Sequence, residues 1–316
     1  MNFDVFNGDA DGICALHQMR LSHPLESELI TGVKRDIKLL EKVSVQAGDQ
    51  VLVLDISFDK NRAEVESILN KGASIQYFDH HYAGDLIKHN KLATHINTSS
   101  EICTSLLVNN FLQNAHVLWA IVGSFGDNMA VVANSLANKE SITEQKAGQL
   151  NELGVLLNYN GYGTKLDDLY FEPQELFNIV RHYKNPFDFI ENENAFTVLK
   201  EGYSSDMDNA VTLKPYYESN QHGVYLLPTA AWSNRVSGVF SNHLTVQSPE
   251  RAHAILSQLP TGNFTVSVRA PLANREGADT LCRQFPSGGG RKAAAGINNL
   301  PEDQFDYFIS KFKEHF

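Results

Sequence analysis

The first part of the chain alternates short apolar runs with stretches of helical periodicity, and that alternation restricts the fold strongly. Strands joined by helical crossovers lie parallel, and a parallel sheet needs apolar cover on both faces. Strands are predicted at Phe3–Phe6, Leu29–Val33, Val51–Ile56 and Ser74–Phe78, with helices at Ile13–Leu21, Arg35–Val43, Asn61–Asn70 and Ile102–Leu112. Asp59 is placed to cap the third helix, with Gly72 just past its end. Ile142 to Tyr183 reads as helical, broken around Asn158–Gly163, and Lys184-Asn-Pro-Phe-Asp opens a linker region. A second α/β unit follows, with strands near Gly223–Leu227 and Phe264–Arg269 and helices near Arg235–Leu244, Ala273–Gln284 and Glu302–His315.

The expected fold class is therefore α/β and bilobed. A parallel-sheet domain with a helical buttress covers residues 1–185, a linker region 186–200, and a smaller α/β domain 201–316. At 316 residues the chain exceeds the size at which one hydrophobic core stops growing, which also favours two lobes. Apolar residues at 42% and charged residues at 20% exclude a disordered or fibrous class. No apolar run is long enough for a membrane span, and the start, MNFDVFNGDADG, has no signal-like core, so a cytoplasmic location is expected. Cys14, Cys103 and Cys282 are scattered and outside any CxxC pairing, which reads as reduced thiols.

A formal charge of −11 argues against binding long duplexes, which requires a broad basic footprint. Residues 221–300 reverse the sign: Arg235, Arg251, Arg269, Arg275, Arg283, Arg291 and Lys292 face only Glu250, Glu276 and Asp279, a net of +4. An anionic ligand handled by the second half is expected.

Four short motifs end or follow predicted strands: Asn7-Gly-Asp9-Ala-Asp11-Gly12, Asp55-Ile-Ser57, Asp79-His80-His81 and Gly126-Asp127-Asn128. The carboxyl ends of parallel strands open on one crevice, so the motifs are expected to be neighbours. Carboxylates gathered there repel one another unless they are protonated or share cations, and hard divalent ions suit oxygen and imidazole donors. Each motif alone has a plainer reading as a turn or helix cap, and their joint occurrence carries the metal-site reading. His17, His222 and His253 lack paired ligand spacing and read as surface or core histidines.

These motifs resemble those of the DHH phosphoesterases, and Ser287-Gly288-Gly289-Gly290 with Ala293-Ala-Ala-Gly296 resembles the signature of the associated DHHA1 domain. The resemblance spans nearly the whole chain. It implies metal ligands at Asp9, Asp11, Asp55, His80 and Asp127, with Asp55 bridging two ions and His81 beside the scissile phosphate. Where relatives place an Asp or an upstream His, this chain has Asn7 with Val5 before it, so Asn7 is a weak ligand. Two Mn²⁺ ions are the expected cofactor, with Mg²⁺ as the other candidate.

In the second half, Gly288, Gly289 and Gly290 are able to present backbone N–H groups to an anion as a nest, with Arg291 and Lys292 adding charge. Without the resemblance, a tight turn is the simpler reading. Many relatives carry a His where Arg291 stands. Arg269, ending FTVSVR, resembles a phosphate-holding arginine of DHHA1 domains, and Arg235 at a helix start is a weaker candidate.

The implied activity is manganese-dependent, two-metal hydrolysis of phosphate esters of short oligonucleotides, dinucleotides or nucleoside phosphates, as in oligoribonucleases. Cyclic-dinucleotide hydrolysis and a non-catalytic nucleotide-binding regulator are the alternatives. The expected partner is the nucleotide substrate, with no long duplex and no membrane, and the sequence is compatible with a homodimer.

Overall fold

A computed structural model describes residues 1–316, which divide into two compact units, Met1–Glu201 and Gly202–Phe316. In the first unit, β1 (Asn2–Phe6), α1 (Ala10–Ser22), β2 (Glu28–Ile30), β3 (Gln50–Leu54), α2 (Arg62–Asn70), β4 (Ser74–Asp79) and β5 (Leu92–Ile96) build a sheet. Its order is β2-β1-β3-β4-β5 and every pairing is parallel. The strand order reverses between β1 and β3, and a crevice opens at the carboxyl ends beside such a switch point. Near-continuous burial of VLVL in β3 and of the end of β4 is what a sheet covered on both faces requires. Phe3, Val5, Val51, Val53, Ile75 and Tyr77 face a core completed by Val65, Ile68 and Leu69 of α2.

Helices α3 (Thr104–Phe111), α4 (Val117–Gly126), α5 (Ala130–Lys139), α6 (Glu144–Gly161), α7 (Pro173–Val180), α8 (Pro186–Asn192) and α9 (Asn194–Val211) follow. The region read as a linker is thus helical, in α8 and the start of α9, with Asn185 capping α8 through the Phe187 N–H at 3.0 Å. α4, VLWAIVGSFG, is buried from Trp119 to Gly126. An apolar run with no polar face fits a central helix as well as a strand, and here the helix wins. Gly126-Asp127-Asn128 therefore follows a helix rather than a strand.

Other expectations need correction. Arg35–Val43 forms only the 3₁₀ turn Leu39–Lys42, because Asn61 Nδ2 donates to the Ile37 carbonyl at 2.6 Å and holds the segment as a loop. Asp59 opens a 3₁₀ turn and makes no cap; α2 begins after Asn61, and Gly72 lies past its end at φ +88° as expected. α6 continues through Asn158–Gly161, so its break begins only at Tyr162.

The second unit contains β6 (Tyr217–Glu218), β7 (His222–Leu227), α10 (Ala231–Gln247), β8 (Ala252–Gln258), β9 (Phe264–Arg269), α11 (Ala278–Cys282), β10 (Gly288–Gly290), β11 (Ala294–Leu300) and α12 (Phe305–His315). Its sheet, β10-β11-β9-β8-β7-β6, is mixed, with only β7 and β8 parallel. The helix expected over Ala273–Gln284 shrinks to α11, because Gly277 adopts φ +103° immediately before it. The nest expected at Gly288–Gly290 is an edge strand, and only Gly290 has a positive φ, +142°.

The three glycines are constrained differently. A Cβ at Gly288 would run into the Cys282 carbonyl and one at Gly290 would lie 2.5 Å from Ala295 Cα, but one at Gly289 would meet nothing within 4 Å. Gly288→Ala should therefore cost about 1–3 kcal/mol, as overpacking does, whereas Gly289→Ala should stay within about 0.5 kcal/mol of wild type. Urea melts of the two variants check this, and equal losses would contradict it.

Candidate metal centre

Asp55 sits just beyond β3 with φ +60°, a left-handed conformation that non-glycine residues adopt at a cost. The strain turns its carboxylate into the crevice, where Oδ1 accepts from Thr104 Oγ1 at 3.0 Å. Asp11, in the first turn of α1, accepts the Thr104 N–H at 2.8 Å and the Ser105 N–H at 2.7 Å. Those donors are left unpaired by the start of α3, so a buried carboxylate from another helix satisfies them. Gly12 permits this placement, since a Cβ there would strike the backbone of Asn7.

β4 delivers the histidines. His80 Nδ1 lies 3.1 Å from the Ile102 carbonyl, which can only accept, so Nδ1 carries the proton and Nε2 faces the carboxylates. Nε2 is 3.4 Å from Asp55 Oδ1 and 3.8 Å from Asp127 Oδ2. Such a carbonyl partner is the usual device for fixing the tautomer of a metal-binding histidine. His81 Nδ1 donates to Asp79 Oδ1 at 2.7 Å, and Asp79 is held in turn by the His80 N–H at 2.9 Å and the Phe58 N–H at 3.3 Å. Asp127 is the C-cap of α4, where a carboxylate opposes the negative end of the helix dipole. That placement is unfavourable alone and favourable beside a cation.

The buried charges perturb one another. Burial and then the nearby Asp55 push Asp11 up to about 6, and burial followed by the charge of Asp9 raises Asp55. Burial would lower His80, but its hydrogen bond to Asp55 and the surrounding carboxylates outweigh this and raise it to about 10. His81 is likewise raised against burial by Asp79. Asp9 is held below the usual carboxylate range, because the Lys34 ammonium outweighs burial.

Two donor groups, Asp11/His80/Asp127 and Asp55/His80/His81, each have ligand atoms within 4.8 Å of one another. Carboxylate oxygens with imidazole nitrogen fit a hard or borderline divalent cation, and one would relieve the repulsion that raises Asp11 and Asp55. Asp9 belongs to neither group; its side chain caps α1 through the Asp11 and Gly12 N–H groups and pairs with Lys34. Asn7 Oδ1 accepts the Asp9 N–H at 3.2 Å, and its Nδ2 donates to the Lys34 carbonyl at 3.3 Å.

Lys34, Asn158 and Thr104 join the site without having been expected there, and Asp79, expected there with its motif, serves as the partner of His81. Lys34 donates to Asn158 Oδ1 at 2.8 Å across 124 residues, a pairing with no local signature. Asp79 carries one signal in the sequence, its adjacency to His80-His81.

In the second unit, Arg269 Nε donates to Asn242 Oδ1 at 2.9 Å. Arg235 lies in the second turn of α10, and Asp206 supplies its anion at 2.7 Å. Arg251, Arg283 and Lys292 also form ion pairs, with Glu218, Asp279 and Glu276, so much of the expected basic surplus is locally balanced. Arg291 and Lys292 are exposed just after Gly288–Gly290. His17, His222 and His253 are buried, and burial lowers His17 and His253 to about 4, as fits core residues. The three cysteines are buried free thiols. No helix is long and apolar enough to cross a membrane.

No family model and no curated protein matches the sequence. Solved structures do. Exonuclease RecJ bound to manganese aligns over 99% of this chain and 89% of its own, at 15% identity and TM-score 0.60. RecJ in complex with Mn²⁺ from Thermus thermophilus aligns over 99% of this chain, at 16% identity and TM-score 0.59, and this chain spans about half of it, 51%. The pGpG-specific phosphodiesterase PggH from Vibrio cholerae aligns over 100% of both chains, at 14% identity and TM-score 0.58. The two-unit α/β fold of this chain is thus of the RecJ type, the fold of the DHH/DHHA1 phosphoesterases that its motifs resemble.

Proposed function

We propose that this chain is a manganese-dependent phosphodiesterase acting on short oligonucleotides or linear dinucleotides. The observation that carries the reading is the convergence of Asp11, Asp55 and Asp127 on His80 Nε2, while His80 Nδ1 is fixed by a backbone carbonyl. Manganese bound to two solved RecJ structures, and the dinucleotide specificity named for PggH, support the choice of cofactor and substrate class. Asp11, Asp55, His80 and Asp127 would hold the cation, which when bound acidifies water and offsets charge on phosphoryl oxygens.

The chain's own groups do the remaining work. His81 is half-exposed, its Nδ1 donates to Asp79 Oδ1 at 2.7 Å, and Asp79 and Asp55 favour its protonated form, in which Nε2–H is left to donate. That proton is placed to stabilise a nonbridging oxygen or to reach the leaving oxygen. Thr104 fixes the Asp55 rotamer, and the α3 N-terminus fixes that of Asp11.

Arg269, Arg291 and the open face of Gly289 bind the nucleotide portion away from the scissile bond, with Arg235 secondary because Asp206 holds it. The chain's acidity favours short substrates over duplexes. A panel of short RNA and DNA oligomers and of linear and cyclic dinucleotides, with Mn²⁺ and Mg²⁺, tests the reading; no metal-stimulated turnover on any would overturn it. Arg269→Ala should lower kcat/KM on a linear dinucleotide by roughly 10–150-fold, the equivalent of a charge-assisted contact of about 1.5–3 kcal/mol. A small chromogenic phosphodiester should be hydrolysed almost as before. Equal losses on both would place Arg269 in the fold or the reacting centre.

A further inference from the structure

Both carboxylate oxygens of Asp9 are already held. Its Oδ1 takes the Asp11 N–H at 3.0 Å and the Gly12 N–H at 3.1 Å, and its Oδ2 takes the Lys34 ammonium. Lys34 is no loose surface side chain. Its N–H donates to the Gly161 carbonyl at 2.8 Å, its carbonyl receives Asn7 Nδ2, and its ammonium lies 5.4 Å over the Tyr162 ring and bonds Asn158. The turn after β1, the loop after β2 and the end of α6 therefore fix one positive charge on Asp9.

The remaining donors form two groups that share one imidazole. Both ligand groups depend on the single Nε2 of His80, and His81 Nδ1 is committed to Asp79. Asn7, standing where a stronger ligand would serve a second ion, spends its amide on the backbone of Asp9 and Lys34.

We infer that the Lys34 ammonium takes the place of a second divalent cation at Asp9, so that the centre holds one metal ion per chain. The inference rests on the metal-dependent reading above. An ammonium supplies a point charge and N–H donors but no Lewis acid, so Lys34 would offset phosphoryl charge, while Lewis acidity would come only from the cation that Asp11, Asp55, His80 and Asp127 would hold.

The test is Mn²⁺ stoichiometry, by elemental analysis after equilibrium dialysis, with the electron paramagnetic resonance spectrum of the bound ion. Wild type should bind close to one ion per chain and show the hyperfine pattern of isolated Mn²⁺. Lys34→Met should move toward two ions with an exchange-broadened spectrum, while Lys34→Arg should stay near one. Two coupled ions in wild type would overturn the inference and leave the functional reading standing. One ion in Lys34→Met, with circular dichroism confirming its fold, would also overturn it. No bound ion in wild type would overturn the metal-dependent reading itself.

Discussion

Asp55→Asn should lower metal-dependent hydrolysis by at least about 10²–10³-fold, the range seen when one charge-stabilising group is lost from an active site. Asn rather than Ala is the informative change, because Asn tolerates the φ of +60° that this position requires and keeps an Oδ1 for Thr104. The same substitution should raise the melting temperature of the metal-free protein. It removes a buried charge that Asp11 and Asp9 repel, and this outweighs the lost pairing with His80, because the pKa of Asp55 is raised in spite of that pairing. With Mn²⁺ the order should reverse: wild type gains stability as ligand saturates it, about 2.7 kcal/mol at a hundredfold excess over Kd, and the variant gains much less. Thermal melts with and without Mn²⁺, beside turnover, check all three. A variant that is less stable without metal would show that Asp55 serves the fold first.

Mn²⁺ affinity should rise steeply with pH from about 6 to 8, close to tenfold per unit where binding releases one proton. His80 must lose a proton from Nε2 before that nitrogen can ligate, and its folded pKa of about 10 means the metal-free site holds that proton throughout this window. The metal-free protein should behave oppositely. A raised histidine pKa contributes stability that is complete below 6.5 and lost as pH rises toward about 10. Asp11 adds the same slope at lower pH: raised from 3.8 to about 6, it costs on the order of 3 kcal/mol once it is forced to ionise. Melting temperature without metal should therefore fall with pH while the Mn²⁺-induced increment grows. Calorimetry in buffers of different ionisation enthalpy counts the released protons, and a count near zero at neutral pH would mean that His80 is already neutral or is not a ligand.

Much of this centre is legible in the residues. Asp11, Asp55, His80 and Asp127 stand out because each follows an apolar run where a chain would otherwise place an ordinary turn, and the alternation of runs implies one crevice. β5 and β11 escape notice for a physical reason. LATHI is only half-buried at the sheet edge, and AAGINNL is rich in residues of low β-propensity that pairing and burial override. α4 escapes because a uniformly apolar run has no period to read.

The α/β class, the parallel first sheet and the identity of the donors are set by local pattern. They follow from the handover of strand to polar motif and from chemistry carried within a few residues. How those donors are apportioned depends on long-range packing instead. Lys34 reaches Asp9 and Asn158 from a loop, Thr104 and Ser105 grip Asp11 from another helix, and the Ile102 carbonyl selects the tautomer of His80. Each is an orientation of one side chain or backbone group toward another far away in the chain, set by packing against neighbours. No spacing in the sequence records it.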